Sequence, residues 1–124
     1  MLSWLRATFG PSSQRDSLEQ SVASATNEIR AWLIAERVPI HRIETVAVFE
    51  TWSNDLAIWF FYDTDQQRDD RAGSAYESQL ANRCRSALIR HRFPATLIDQ
   101  VSFVFDSHET VVRDYNGSYF FRLR

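Results

Sequence analysis

Residues 56–62 read Leu-Ala-Ile-Trp-Phe-Phe-Tyr, and no other stretch constrains the fold as tightly. Aromatic and branched apolar residues between a polar turn at Ser53-Asn54-Asp55 and an acidic segment make a β-strand, one too short to cross a bilayer. Side chains alternate along a strand, so Leu56, Ile58, Phe60 and Tyr62 face one side and Ala57, Trp59 and Phe61 the other. Both sides are apolar. The strand therefore needs cover above and below.

The rest of the chain supplies that cover in a definite order. Asp16 or Ser17 can cap a helix, with Glu19 or Gln20 placed to close a capping box. Leu18, Val22, Ala25, Ile29, Trp32 and Leu33 then form one apolar stripe, and Pro39 stops the helix. Ahead of it, residues 1–13 read as an N-terminal arm ended by Gly10-Pro11-Ser12-Ser13, whose Leu2, Trp4, Leu5 and Phe9 can fold back on the domain. Residues 43–52 and 56–63 pair as a hairpin. After a polar stretch through Arg71, a second helix runs towards Arg92, with Tyr76, Leu80, Cys84, Ala87 and Leu88 inward. Asp69 and Asp70 fall in its first turn, where the helix dipole favours acids. Residues 101–105 form a third strand. Residues 107–116 suit a helix capped by Ser107 and closed at Asn116-Gly117, or a strand that turns at Asn-Gly, and in either case 119–123 is a final strand. The order is α-β-β-α-β-(α or β)-β in a single domain spanning residues 1–124. It implies an α+β fold with a mixed or antiparallel sheet of about four to five strands and two main helices on one face.

That order fixes where chemistry can gather. Strand, helix and strand with a short return at Phe93-Pro94 make a β-α-β unit, so the second and third strands run parallel and end at one sheet edge. Asp63, Asp65, Asp69 and Asp70 reach that edge from one loop, and Asp106, His108 and Glu109 from the other. Six carboxylates on one rim read as a docking surface. Their spacing lacks the glycine and terminal glutamate of a calcium loop, and no metal site is expected. Two helices cover only one face of the sheet. Trp59, Phe61 and Val104 are then left for the N-terminal arm or for a second copy in a homodimer.

Composition removes several function classes. Fourteen basic residues, all arginine, stand against 16 acidic ones, which argues against a generic nucleic-acid binder. Three glycines cannot build a phosphate loop, a dinucleotide fingerprint or a nucleophile elbow. Phe103 and Phe105 lack the flanking pattern of an RNA-recognition strand. His41, His91 and His108 stand in separate elements without metal-ligand spacing. Cys84 and His91 lie two helical turns apart, roughly 10 Å, too far for a nucleophile and its base, so Cys84 reads as core. A lone cysteine fits a reducing compartment, and residues 1–10 lack the apolar core of a signal peptide. The expectation is a cytoplasmic protein with no cofactor and no membrane or nucleic-acid partner.

In its size, its single cysteine, the acidic loop 63–70 and the aromatic end Asp114-Tyr-Asn-Gly-Ser-Tyr-Phe-Phe-Arg122, the chain resembles the small cytoplasmic immunity proteins of bacterial contact-dependent growth inhibition systems. The resemblance implies a non-catalytic inhibitor that binds one cognate toxin domain and covers its active site by charge and shape. It transfers no residue. The partner surface follows instead from the chain order: Asp63, Asp65, Asp69, Asp70, Asp106 and Glu109, with Trp59 on the open sheet face. The alternative is a small homodimeric α+β domain that binds a small ligand or performs simple enzymology.

Overall fold

The apolar stripe folds as a helix, α1 (Leu2–Ala35), along which Leu18, Val22, Ala25, Ile29 and Leu33 are buried. The structure is a computed structural model that describes residues 2–49 and 54–124, with side chains at 14–49 and 55–124. The backbone of α1 is helical from Leu2, ahead of the cap expected at Asp16 or Ser17, and Gly10-Pro11 does not break it. A proline removes one ladder hydrogen bond and strains a helix without always ending it. The expected packing of Leu2, Trp4, Leu5 and Phe9 falls on side chains outside the described residues. Among the described residues, no helix is long and apolar enough to cross a membrane.

Strand β1 (Arg42–Phe49) pairs antiparallel with β2 (Asn54–Tyr62), as the hairpin reading requires, while residues 50–53 at its turn lie outside the described residues. Strand β3 (Ser102–Ser107) pairs with β2 in parallel, with Ile58 opposite Phe103 and Phe60 opposite Phe105. The connection between them holds two helices instead of one. The polar stretch after β2 is itself helical, α2 (Asp65–Arg71): Thr64 Oγ1 accepts from the Gln67 amide, and Gln67 Oε1 accepts from the Thr64 amide. Asp69 and Asp70 consequently sit in the last turn of α2, not the first turn of the longer helix. Gly73, with φ of 70°, breaks the chain before α3 (Ala75–Arg90), and a left-handed residue there is natural for glycine. Glu77 secures the break, accepting from the Gly73 amide and from the Tyr62 hydroxyl.

The sheet stops at three strands among the described residues, which corrects the expected four to five. Beyond a 3₁₀ turn (Ala95–Gln100) and β3, the chain forms α4 (His108–Tyr115) and α5 (Tyr119–Arg122). Ser107 Oγ accepts from the Thr110 amide at 3.0 Å and starts α4. Asn116 and Gly117, with φ of 52° and 78°, then end it. Two left-handed residues in a row also make a hairpin turn, which is why the sequence left helix and strand open. Ser118 Oγ caps α5 by accepting from the Phe121 amide, so residues 119–122 turn helically and the final strand expected there does not form.

One face of the sheet is closed, and the other is covered at its carboxyl end. On one, Leu56, Ile58 and Phe60 meet α1 and α3 through Leu80, Cys84, Ala87 and Leu88. Burial pushes the Cys84 thiol up to about 12, as a core cysteine's should be. On the other, Phe61 is fully buried with Val111 and Tyr119, and Trp59, Tyr115 and Leu123 pack around them. On the face expected to need the N-terminal arm or a second copy, α4 and α5 cover Phe61 and Trp59, while Val104 is half-buried and Val48, opposite Asp55, is 46% exposed.

Candidate functional site

Tyr62 and Ser107 are paired in register at the ends of β2 and β3, so the chain leaves the sheet on both strands at one edge. The carboxyl edge of parallel strands is where open α/β sheets usually hold ligands. Here α2 and α4 both begin at that edge, each capped by a hydroxyl residue, Thr64 and Ser107. Glu109 Oε1 accepts from the Asp65 amide at 3.0 Å, and the Asp63 carbonyl accepts from the Glu109 amide at 3.2 Å. The two helix starts are thereby tied together.

Beneath them lies an ionic floor. Asp106, only 4% exposed, takes Arg68 Nη1 on Oδ1 at 3.1 Å and Arg122 Nε on Oδ2 at 2.7 Å. Burying a carboxylate is costly unless it is paired and hydrogen-bonded, and both conditions are met. Asp65 takes the hydroxyls of Ser107 and Thr110 on Oδ1 and Arg113 Nη1 on Oδ2 at 2.6 Å. The hydrogen bond from Ser107, then those from Arg113 and Thr110, hold the Asp65 carboxyl well below the usual range. Arg68 links the two acids, since it also donates to Thr110 Oγ1 at 2.9 Å and lies 3.5 Å from Asp65. A carboxylate fixed this firmly in its charged form is a poor proton donor. This layer builds the edge.

Above the floor stand the outward groups. Asp69 accepts from Arg68 Nε, Asp70 from Gln66 Nε2, and both are exposed with Asp63 and Glu109. Asp63 Oδ1 lies 2.9 Å from His41 Nδ1. The His41 ring stacks on His108 at 4.0 Å between centroids, and His108 Nδ1 lies 2.7 Å from the Tyr119 hydroxyl. Next in chain after Tyr119, Phe120 and Phe121 are 66% and 57% exposed.

All six carboxylates expected at the rim are therefore at one edge, but in two layers: Asp65 and Asp106 inward, Asp63, Asp69, Asp70 and Glu109 outward. Trp59 is not on an open face. It is half-buried, stacked with Phe61, and capped by the Arg122 guanidinium 4.7 Å from its ring centroid. Sequence reasoning missed Arg68, Arg113 and Arg122, and it missed the meeting of His41 with His108. Arg68 and Arg113 stand three residues after Asp65 and Thr110, a helical spacing that places them on the same face; nothing local marks Arg122 or the histidine pair. Among the described residues, no three His, Cys, Asp or Glu side chains are disposed to hold a metal ion. Comparison with family models, curated proteins and solved structures finds no match.

Proposed function

We propose that this chain is a cytoplasmic binding protein that neutralises a cognate toxin domain, covering a basic active site with the carboxyl edge of its sheet. The observation that carries the reading is the layered edge: exposed Asp63, Asp69, Asp70 and Glu109 above a floor in which Asp65 and Asp106 are locked to arginines. A rigid acidic surface suits electrostatic steering toward a cationic cleft, because opposite charge raises the association rate and rejects wrong partners. Phe120 and Phe121, beside the Arg122 that binds Asp106, supply the apolar anchors that dominate such interfaces. Of the residues read from the sequence, Asp65, Asp106 and Trp59 act as supports of that surface rather than as contacts.

The test is co-expression with the polypeptide encoded immediately upstream of this chain's gene. The expected result is growth inhibition by that polypeptide alone, relief on co-expression, and co-purification of a stoichiometric complex. Toxicity unchanged by this chain, or relief without a complex, overturns the reading.

A further inference from the structure

The geometry points to a binding site for a small organic anion with a flat aromatic body in the groove between α1 and α3. The groove has a volume of about 510 Å³ and is lined by Trp32 from α1 and by Tyr76, Gln79, Asn82, Arg83 and Arg90 from α3. That volume is in the range of small-molecule sites. Its cations are not equivalent. Arg90 is bound to Glu28, which also meets His91 Nε2 at 3.0 Å. Arg83 lies over the Trp32 ring, 3.9 Å from its centroid, and no acceptor among the described residues takes its N–H groups. Arg68, Arg113 and Arg122 of the ionic floor, in contrast, each have a carboxylate.

The other polar groups of the groove are short of acceptors as well. Asn82 Oδ1 is occupied by Arg85 Nη1 at 2.8 Å, which leaves its amide N–H₂ to donate. The Tyr76 hydroxyl is buried and has no partner, alone in this among the described residues. With no surface open to the groove, that hydroxyl does not reach a bound anion, and the donors that do are those of Arg83 and Asn82. A surplus of donors around one unpaired planar guanidinium fits an oxyanion, which the guanidinium fork binds through two parallel hydrogen bonds. The Arg83 guanidinium lies on Trp32 and that of Arg71 on Tyr76, 4.2 Å from its centroid, and a planar guanidinium so held stacks on a flat body, so the body attached to the anion is aromatic.

Two-dimensional ¹H–¹⁵N spectra of the full chain test this, with 2-naphthoate as the aromatic anion and inorganic phosphate as an anion without a body. Naphthoate is expected to shift the Trp32 indole and the amides of residues 79–86 saturably at about 1 mM or below, with phosphate at least about tenfold weaker. Arg83→Gln is expected to weaken naphthoate about tenfold while leaving the melting temperature unchanged, because Arg83 is exposed. Arg83→Lys is expected to match Arg83→Gln, since a lysine keeps the charge but not the planar fork. Absence of saturable shifts, equal binding of phosphate, or unaltered binding by either variant overturns the site.

Discussion

The two faces of the sheet are packed by different means. Under α1 and α3, apolar side chains interlock: Phe60 stacks on Phe105 at 5.2 Å, and Ile29, Leu33, Leu80 and Leu88 fill the space around it. Under α4 and α5, three buried apolar residues are supplemented by an ionic floor of Asp65, Asp106, Arg68, Arg113 and Arg122. Dispersion and burial dominate on the first face. The second also depends on charges staying charged, and it is the one that presents the candidate site. The candidate site thus lies where polar groups gather, away from the best-packed face.

Substitutions on the two faces should separate these mechanisms. The largest effect expected is from Phe60→Ala, with a loss of about 3–5 kcal/mol in denaturant unfolding. Phe61→Ala, equally buried, should fall at the lower end of that range, because the short α4 and α5 can settle into the gap more easily than α1 and α3. A larger loss at Phe61 than at Phe60 would reverse the ranking of the two faces. Asp106→Ala comes next, about 3 kcal/mol, since it leaves Arg122 in a partly buried site without its carboxylate and takes one of several acceptors from Arg68. A change below about 1 kcal/mol would show that the floor is decoration.

Acid should act on the second face. Asp65 titrates at an ordinary value near 4 when unfolded and lower when folded, so its contribution is complete above about pH 4 and is lost as pH falls below it. Asp65→Asn should flatten the stability–pH curve below about pH 4 and leave its slope at neutral pH unchanged. Glu28, also shifted down by its hydrogen bond from Arg90, is half-exposed, and solvent screening keeps its part small. An unchanged acid limb in Asp65→Asn would contradict the role given to this carboxylate. The smallest effect belongs to Asp69→Asn, within about 0.5 kcal/mol, because an exposed ion pair contributes little to folding.

The same contrast explains what the sequence revealed. Period-3.6 and period-2 patterns named the first face almost residue by residue, from Leu18 to Leu88, and the short return at Phe93-Pro94 implied the parallel β2–β3 pair. The second face has no such period. Asn116-Gly117 fits a helix end and a hairpin turn equally, and Tyr119-Phe-Phe has strand-forming residues that Ser118 nonetheless turns into a helix. Only tertiary contact between Tyr119 and Phe61, edge to face at 4.8 Å, decides the outcome. The candidate site was half legible for the same reason. Chain order brought six carboxylates to one edge, but which of them turn inward depends on Arg68, Arg113 and Arg122, and Arg122 is 16 residues from the Asp106 it binds.

The central claim is that the outward carboxylates of this edge steer a basic partner. Asp69 and Asp70 test it most directly, since they lie in the last turn of α2, where arginine suits the helix dipole and folding should be intact. The measurement is the association rate of the Asp69→Arg, Asp70→Arg double variant with the upstream-encoded polypeptide proposed as its partner, by stopped flow across a salt series. The account predicts a rate roughly tenfold or more below wild type at low salt, with a shallower salt dependence and an unchanged melting temperature. A folded double variant with the wild-type rate and the wild-type salt slope would contradict it.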